Sequence, residues 1–234
     1  MVDIQKNEQV NGELRALYQQ YAEAYLSAYR AAFHDPEPPH RINEFGIIDV
    51  KQYDGDKGIL FIAKETNGWD NADYKADRLF RSWVNGIARN GLAGKGHVGR
   101  HPGMWYNLGR WAAYLNGTNR NIDQIKTYKR EALQAIGTVA FTNLNKVRGR
   151  GSSGKEYWAL ANTDISGRLL RAELDILRPK IVVCCGTSIV FRTHIELFPG
   201  AVISMPHPAA RMGSTQMLRR LEEQTRQPED ILSS

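Results

Sequence analysis

The sequence predicts an α/β fold, a three-layer α/β/α sandwich with a central, mostly parallel four-stranded sheet. The first observation is a set of four short apolar runs, each long enough only for a buried strand, at 58–63, 138–142, 180–185 and 201–205. The second is that helical patterns separate these runs. Strands that alternate with helices are typical of a parallel sheet covered on both faces.

Apolar residues that recur at three- and four-residue steps predict the helices. The predicted helices cover residues 74–89, 104–116, 123–136, 166–177, 187–197 and 214–224. No internal repeat or low-complexity segment occurs. We therefore expect one α/β domain over residues 41–228, followed by a frayed tail at 229–234.

A helical arm is predicted at residues 1–40, before the first strand. Its tyrosines, leucines and alanines between Leu14 and Ala32 form one apolar stripe at helical spacing, and prolines at positions 36, 38 and 39 end the helix. Such a stripe can be a ligand platform, but it is more often a packing surface. We expect the arm to pack on the domain.

The composition is typical of a soluble globular protein: 42% of the 234 residues are hydrophobic and 24% are charged. Cys184 and Cys185 are adjacent, a spacing unsuited to an ordinary disulfide, so we expect small buried hydrophobes in a reducing compartment. No basic segment leads to an apolar core near the N-terminus, and no apolar run approaches transmembrane length. These features favour a cytoplasmic protein.

Polar and aromatic residues are concentrated directly after the four predicted strands. Open parallel sheets bind ligands at this edge, where loops leave the carboxyl ends of the strands. The four loops begin at Lys64, Asn143, Gly186 and Pro206. They are the predicted place of the functional site.

Four segments carry motifs in a fixed order. Residues 62–69 (Ile-Ala-Lys-Glu-Thr-Asn-Gly-Trp) are similar to Gly-Gln-Asp-Pro or Gly-Glu-Ala-Pro after a first strand, and residues 141–146 (Phe-Thr-Asn-Leu-Asn-Lys) to Thr-Asn-x-x-Lys. Residues 177–186 look like a Pro-containing entry to a strand that ends in Gly, and residues 205–210 (Met-Pro-His-Pro-Ala-Ala) look like His-Pro-Ser-Pro. Because these motifs occur in the order found in the uracil-DNA glycosylase superfamily, the chain resembles that family from Gly58 onward.

The first motif departs from the family pattern at two positions. Ala63 stands where most members have Gly, and Thr66 stands where most have Pro, so the backbone of this loop is expected to differ. Some members also hold an iron–sulfur cluster through four cysteines, and two adjacent cysteines exclude a cluster of that type. We expect neither a metal nor another cofactor.

The resemblance implies hydrolysis of an N-glycosidic bond through an oxocarbenium-like transition state, in which the base departs with negative charge. Glu65 would orient the attacking water, although a capping or loop-bracing carboxylate is an equal alternative. His207 would stabilise the departing base, and its flanking prolines would hold it in place. A histidine that merely completes this turn is the ordinary alternative.

Base recognition is assigned to amide and aromatic side chains. Asn143 offers an acceptor and a donor on one planar group, which suits the edge of a uracil-like base, and Asn145 has the same chemistry two residues later. An Asx turn is the structural alternative. Trp69 or Trp105 could stack on an extruded base, although large aromatics are more often core residues.

A net charge of +6 fits a nucleic-acid partner, since basic side chains release counterions from a phosphate backbone. Basic residues cluster in the glycine-rich segments 95–101 and 146–155. The predicted phosphate contacts are Lys146, Arg148, Arg150 and Arg211. Solvated surface loops are the ordinary explanation of such clusters.

The sequence therefore predicts a DNA glycosylase-like hydrolase that releases a flipped uracil or another deaminated base, bound to DNA and not to a membrane. The rival is a non-catalytic nucleotide or nucleic-acid binding module on the same fold, and the altered first motif favours it. A generic nucleotide-binding domain is disfavoured because no G-x-G-x-x-G or P-loop motif follows a strand.

Overall fold

The computed structural model describes residues 2–35, 38–64, 80–92, 103–117, 129–147 and 154–226. Within these ranges the chain forms five strands, and their bounds are β1 Gly46–Ile47, β2 Ile59–Ala63, β3 Ala140–Asn143, β4 Ile181–Cys185 and β5 Ala201–Met205. The eight described α-helices are α1 Ile4–Phe33, α2 Phe80–Asn90, α3 Gly103–Leu115, α4 Lys129–Ala135, α5 Lys155–Ala161, α6 Asp164–Leu177, α7 Ser188–His194 and α8 Ser214–Arg226.

The strands form one mixed sheet in the order β1-β3-β2-β4-β5. Strands β2 to β5 are parallel, and they are the four predicted strands with ends that differ by at most two residues. Strand β1 pairs antiparallel with β3 and was not predicted. The predicted α/β class, with a mostly parallel sheet, is confirmed.

The helices cover both faces of the sheet, which makes the three predicted layers. On one face α1 packs against α5 and α6, and α6 contacts α7; on the other face α3 packs against α4 and α8, and α4 contacts α2. Strands β2 and β3 are buried along their whole length, as expected for strands between two helical layers.

The N-terminal arm packs on the domain, as predicted. The side chain of Asp3 caps α1 by accepting from the backbone N–H of Lys6 at 3.0 Å, and Tyr18, Tyr25 and Tyr29 are buried. Asn11 donates to the carbonyl of Ile47 at 3.1 Å and accepts from its N–H at 3.0 Å. The arm thus pairs with the backbone of β1 at the edge of the sheet, where unpaired groups would otherwise be exposed.

Within the described ranges, the helices differ from the sequence predictions at two places. Helix α5 was not predicted, because the glycine-rich segment before it gives no helical pattern. Helix α7 ends at His194, three residues before the predicted end. The predicted helices at 74–89 and 123–136 begin outside the described residues, and their described parts are α2 and α4.

The two cysteines are buried and not bonded to each other, as predicted. Burial raises the pKa of the Cys184 thiol to about 12, so this thiol is a small apolar group at neutral pH. None of the described helices is long and apolar enough to cross a membrane.

Candidate functional site

The carboxyl ends of four parallel strands define one edge of the sheet. From β2 the chain continues to β3 on one side, and then crosses β2 to reach β4 on the other side. Neighbouring loops therefore leave β2 and β4 in opposite directions. This is the topological switch point at which open α/β sheets bind their ligands.

Hydrogen bonds join the strand-end segments to each other. Beyond β3, the N–H of Leu144 donates to the carbonyl of Ala63 at 2.9 Å and the N–H of Asn145 donates to that of Lys64 at 3.0 Å. Beyond β4, the hydroxyl of Thr187 donates to the carbonyl of Ile62 at 2.8 Å. The described residues at the ends of β2, β3 and β4 are thus fixed relative to one another.

Gly186 brings the loop after β4 against the loop after β5. Its N–H donates to the carbonyl of Met205 at 2.7 Å, and its φ of +73° is in the left-handed region that favours glycine. A Cβ atom on Gly186 would lie 3.2 Å from the backbone nitrogen of His207 and 3.4 Å from Cε of Lys64. A side chain at position 186 would therefore crowd both residues.

His207 lies at this edge, and its ring is held by its own turn. Its Nδ1 accepts a hydrogen bond from the backbone N–H of Ala209 at 3.2 Å, which leaves the proton of the neutral ring on Nε2. Burial, with a smaller contribution from the charge of Lys64, lowers the pKa of His207 to about 4. At neutral pH the ring is therefore an uncharged Nε2–H donor.

The turn that carries His207 is braced from the helical layer. The amide of Asn107 in α3 donates to the carbonyl of Pro208 at 2.8 Å, and its oxygen accepts from the hydroxyl of Ser214 in α8 at 3.0 Å. The N–H of Ala210 donates to the carbonyl of His207 at 2.8 Å. These hydrogen bonds hold the turn that carries His207 against α3 and α8.

Lys64 follows β2 and approaches the same position. Cε of Lys64 and Cβ of His207 each lie 3.4 Å from the position that a Cβ atom on Gly186 would occupy. The Lys64 Cε and the His207 Cβ are therefore at most twice 3.4 Å apart. Its Nζ lies 5.2 Å from the ring centroid of Trp158 in α5, a cation–π distance. Sequence reasoning did not select Lys64 or Trp158.

Asn143 and Asn145, the predicted base-reading residues, are each 1% exposed. Both lie at the carboxyl edge, Asn143 at the end of β3 and Asn145 in the segment bonded to Lys64. Among the described residues, neither Nδ2 nor Oδ1 of Asn145 has a hydrogen-bond partner. A buried amide without partners costs free energy, so the environment of Asn145 suits a polar ligand.

The prediction that Lys146 contacts phosphate is wrong. Its side chain is 1% exposed, its Nζ lies 2.8 Å from a carboxylate oxygen of Glu173, and it donates to the hydroxyl of Thr142 at 2.8 Å. Nζ also donates to the carbonyl of Asn143. Lys146 is therefore an internal brace of the turn after β3, and it cannot reach a nucleic acid.

The other predicted residues divide into three groups. Arg211 is exposed four residues after His207, where a phosphate contact is sterically open. Trp105 is 4% exposed and packs against Trp83 and Phe141, so it is a core residue and not a stacking platform. The remaining predicted residues, Glu65, Trp69, Arg148 and Arg150, lie outside the described residues.

No group of three histidine, cysteine, aspartate or glutamate side chains is placed to hold a metal ion within the part of the chain that the structure describes. At the carboxyl edge of the sheet, Lys64 and His207 both approach Gly186, and the backbone N–H of Asn145 donates to the carbonyl of Lys64. The side chains of these three residues are an amine, an imidazole and an amide, which are groups that bind polar ligands. The sequence matches no protein-family model and no curated protein.

Proposed function

We propose that this chain is a DNA glycosylase-like hydrolase that cleaves the N-glycosidic bond of a flipped uracil or another deaminated base. The observation that carries the proposal is the placement of His207 at the carboxyl edge of the sheet, with Nδ1 held by the backbone N–H of Ala209. Its ring is neutral at physiological pH, it carries its proton on Nε2, and no described residue accepts a hydrogen bond from that proton. A fixed neutral donor of this kind can stabilise negative charge on a departing base.

The reaction needs few groups. As the C1′–N bond breaks, its electron pair moves onto the base, and the Nε2–H of His207 donates to a base oxygen. The amides of Asn143 and Asn145 are suited to the donor and acceptor edge of the base. Glu65 is proposed to orient the water that adds to C1′ and to accept its proton. No metal is assigned a role.

The proposed partner is DNA. Flipping a base costs a few kcal/mol, with the smallest cost at mispaired or single-stranded sites, so weakened pairing would contribute to selectivity. Arg211 is proposed to contact a phosphate near the site, and Arg148 and Arg150 stay in the proposal from the sequence. Binding should weaken as salt rises, with a shallower slope after removal of these arginines.

The test is base release from oligonucleotides that carry uracil, hypoxanthine or xanthine, single-stranded and paired, followed by alkali cleavage at any abasic site. His207→Ala and Glu65→Gln should each slow single-turnover release by about 100-fold or more. Asn143→Asp should alter base choice, because the carboxylate repels carbonyl oxygens. His40→Ala is the matched control, since His40 is exposed and outside the site.

A binding module without catalysis is the second candidate. The buried amide of Asn145, which has no hydrogen-bond partner among the described residues, favours it, because this feature requires only that a polar ligand binds. If the wild type releases no base from any lesion but binds nucleotides or nucleic acid at this edge, this candidate replaces the hydrolase. If bases are released and the three variants keep full activity, the active site lies elsewhere.

A further inference from the structure

The hydroxyl of Tyr25 connects the N-terminal arm to residues 144–146, which we call the β3 turn. It donates to the carbonyl of Leu144 at 3.3 Å and accepts from the backbone N–H of Lys146 at 3.0 Å. Tyr25 is buried, and burial raises the pKa of its phenol, so the hydroxyl keeps its proton at neutral pH. One side chain of α1 therefore serves two backbone groups of a turn that is distant from it in sequence.

Other hydrogen bonds join the β3 turn to the rest of the domain. The N–H groups of Leu144 and Asn145 donate to the carbonyls of residues 63 and 64, at 2.9 and 3.0 Å. The carbonyl of Lys146 accepts from the N–H of Asn43 at 2.6 Å. These bonds connect the turn to the end of β2 and to the segment before β1. Tyr25 adds the connection to α1, so the turn is held by both the sheet and the arm.

The three buried tyrosines of α1 use their hydroxyls differently. Tyr18 donates to Glu173, which lies 2.8 Å from Nζ of Lys146. Tyr29 donates to Asp35 at 2.7 Å, within the arm itself. Packing of α1 requires only the apolar rings, and a buried hydroxyl costs free energy unless it is hydrogen-bonded. The hydroxyl of Tyr25 therefore serves the β3 turn, whereas that of Tyr29 serves the arm.

We propose that Tyr25 is a positioning residue, which holds the β3 turn and through it fixes the backbone of Asn143 and Asn145 at the carboxyl edge of the sheet. This inference rests on the proposed function and deepens it, because it gives the N-terminal arm a part in base recognition. Asn143 directly precedes the turn, and Asn145 is its middle residue. A displacement of about 1 Å in a reading group can cost about 100-fold in rate, so the position of this turn matters at the site.

Removal of the hydroxyl would deprive two backbone groups of the turn of this partner. Leu144 and Lys146 are both buried, so water does not readily replace the phenol. The turn should then open more often or shift toward another partner. Its hydrogen bonds to the sheet remain, so the expected result is local opening and not unfolding of the domain.

Amide hydrogen exchange tests the turn without any ligand. Tyr25→Phe removes the hydroxyl and keeps the ring. Exchange of the Lys146 N–H should accelerate by about ten-fold or more relative to the amides of β4, which report on global stability. Tyr29→Phe is the matched control, a buried tyrosine of the same helix whose hydroxyl donates to Asp35, and its ratio should stay that of the wild type. A ratio in Tyr25→Phe equal to that of the control would overturn the proposal.

The functional test measures base choice, which a change in stability alone does not alter. Single-turnover release is compared for oligonucleotides that carry uracil or hypoxanthine, under conditions in which the wild type and both variants are folded. Tyr25→Phe should slow release of the better base about ten-fold and reduce the ratio of the two rates at least about three-fold, since the amides that distinguish the bases are less firmly placed. Tyr29→Phe should keep both values. An unchanged ratio in Tyr25→Phe would overturn the positioning role.

The two tests separate this inference from the proposed hydrolase. If the wild type releases no base but Tyr25→Phe accelerates exchange at Lys146, the hydrolase proposal fails and the hold of the arm on the turn stands. If the wild type releases bases and Tyr25→Phe behaves as Tyr29→Phe in both tests, the hydrolase stands and the role of Tyr25 fails. Faster exchange with unchanged base choice would show that Tyr25 stabilises the turn without positioning the asparagines, which also overturns the proposal.

Discussion

Nζ of Lys146 lies 2.8 Å from a carboxylate oxygen of Glu173, with both side chains inside the protein, 1% and 0% exposed. Tyr18 from the arm donates to the same carboxylate, and Thr142 donates to it at 3.1 Å. Burial lowers the pKa of Lys146, and Glu173 opposes that shift. This network joins α1, β3 and α6, and it contacts the carbonyl of Asn143 at the end of β3 through Lys146.

The first prediction concerns this buried pair. Lys146→Met or Glu173→Gln alone should lower the free energy of unfolding by about 3–5 kcal/mol, because each leaves a buried polar partner unsatisfied. The double variant should lose less than the sum of the two single losses. Urea unfolding of all four proteins measures this, and additive losses would show that the two side chains are not coupled.

The second prediction concerns the pH dependence of stability. Since the pKa of His207 is about 4 in the folded chain and near 6.5 when unfolded, the neutral ring is favoured by folding. Its contribution is fully present above pH 6.5 and declines as the pH falls to about 4. The wild type should lose stability relative to His207→Gln across this window in urea unfolding. An NMR titration of the His207 ring with a midpoint near 6.5 would contradict the assignment.

The third prediction concerns the close approach at Gly186. Gly186→Ala places a Cβ 3.2 Å from the His207 backbone nitrogen at a φ of +73°, so stability should fall by about 1–3 kcal/mol. Displacement of His207 should also reduce base release more than the loss of stability explains. Gly55→Ala is the control, since nothing lies within 4 Å of its added Cβ. Similar effects in both variants would remove any special role from Gly186.

The sheet could be predicted from sequence because its signals are local. The runs that form β2 and β4 are apolar and bounded by turn residues, and a strand buried on both faces needs no more than that. Strand β1 has only two residues, and it depends on pairing with Phe141 and on Asn11, both distant in sequence. A pattern within β1 itself therefore could not reveal it.

The location of the candidate site could be predicted from the sequence, but the contacts of Lys146 and Trp158 could not. The edge of the sheet and His207 followed from topology and the motif order. A lysine in a basic segment is typical of a surface, and the burial of Lys146 depends on Glu173, 27 residues later in the chain. Trp158 lies on the helix that was not predicted, so its contact with Lys64 could not be foreseen.

The fourth prediction separates stability from function at Asn145. Its amide is 1% exposed, and neither polar atom has a partner among the described residues, so the folded chain carries an unsatisfied buried group. Asn145→Leu replaces that amide with an apolar side chain of similar size. The free energy of unfolding should therefore rise by about 1 kcal/mol, as measured by urea unfolding.

The same substitution should impair ligand binding. Without the amide, the affinity for free uracil and the rate of base release should both fall by about ten-fold or more, because the donor and acceptor edge of the base loses its partners. Asn116→Leu is the control, because the Asn116 amide has a hydrogen-bond partner and donates to the Thr138 hydroxyl at 2.7 Å. This variant should lose stability. If Asn145→Leu is also destabilised, its amide has a structural partner in the native protein. If uracil binding is unchanged, Asn145 does not contact the base.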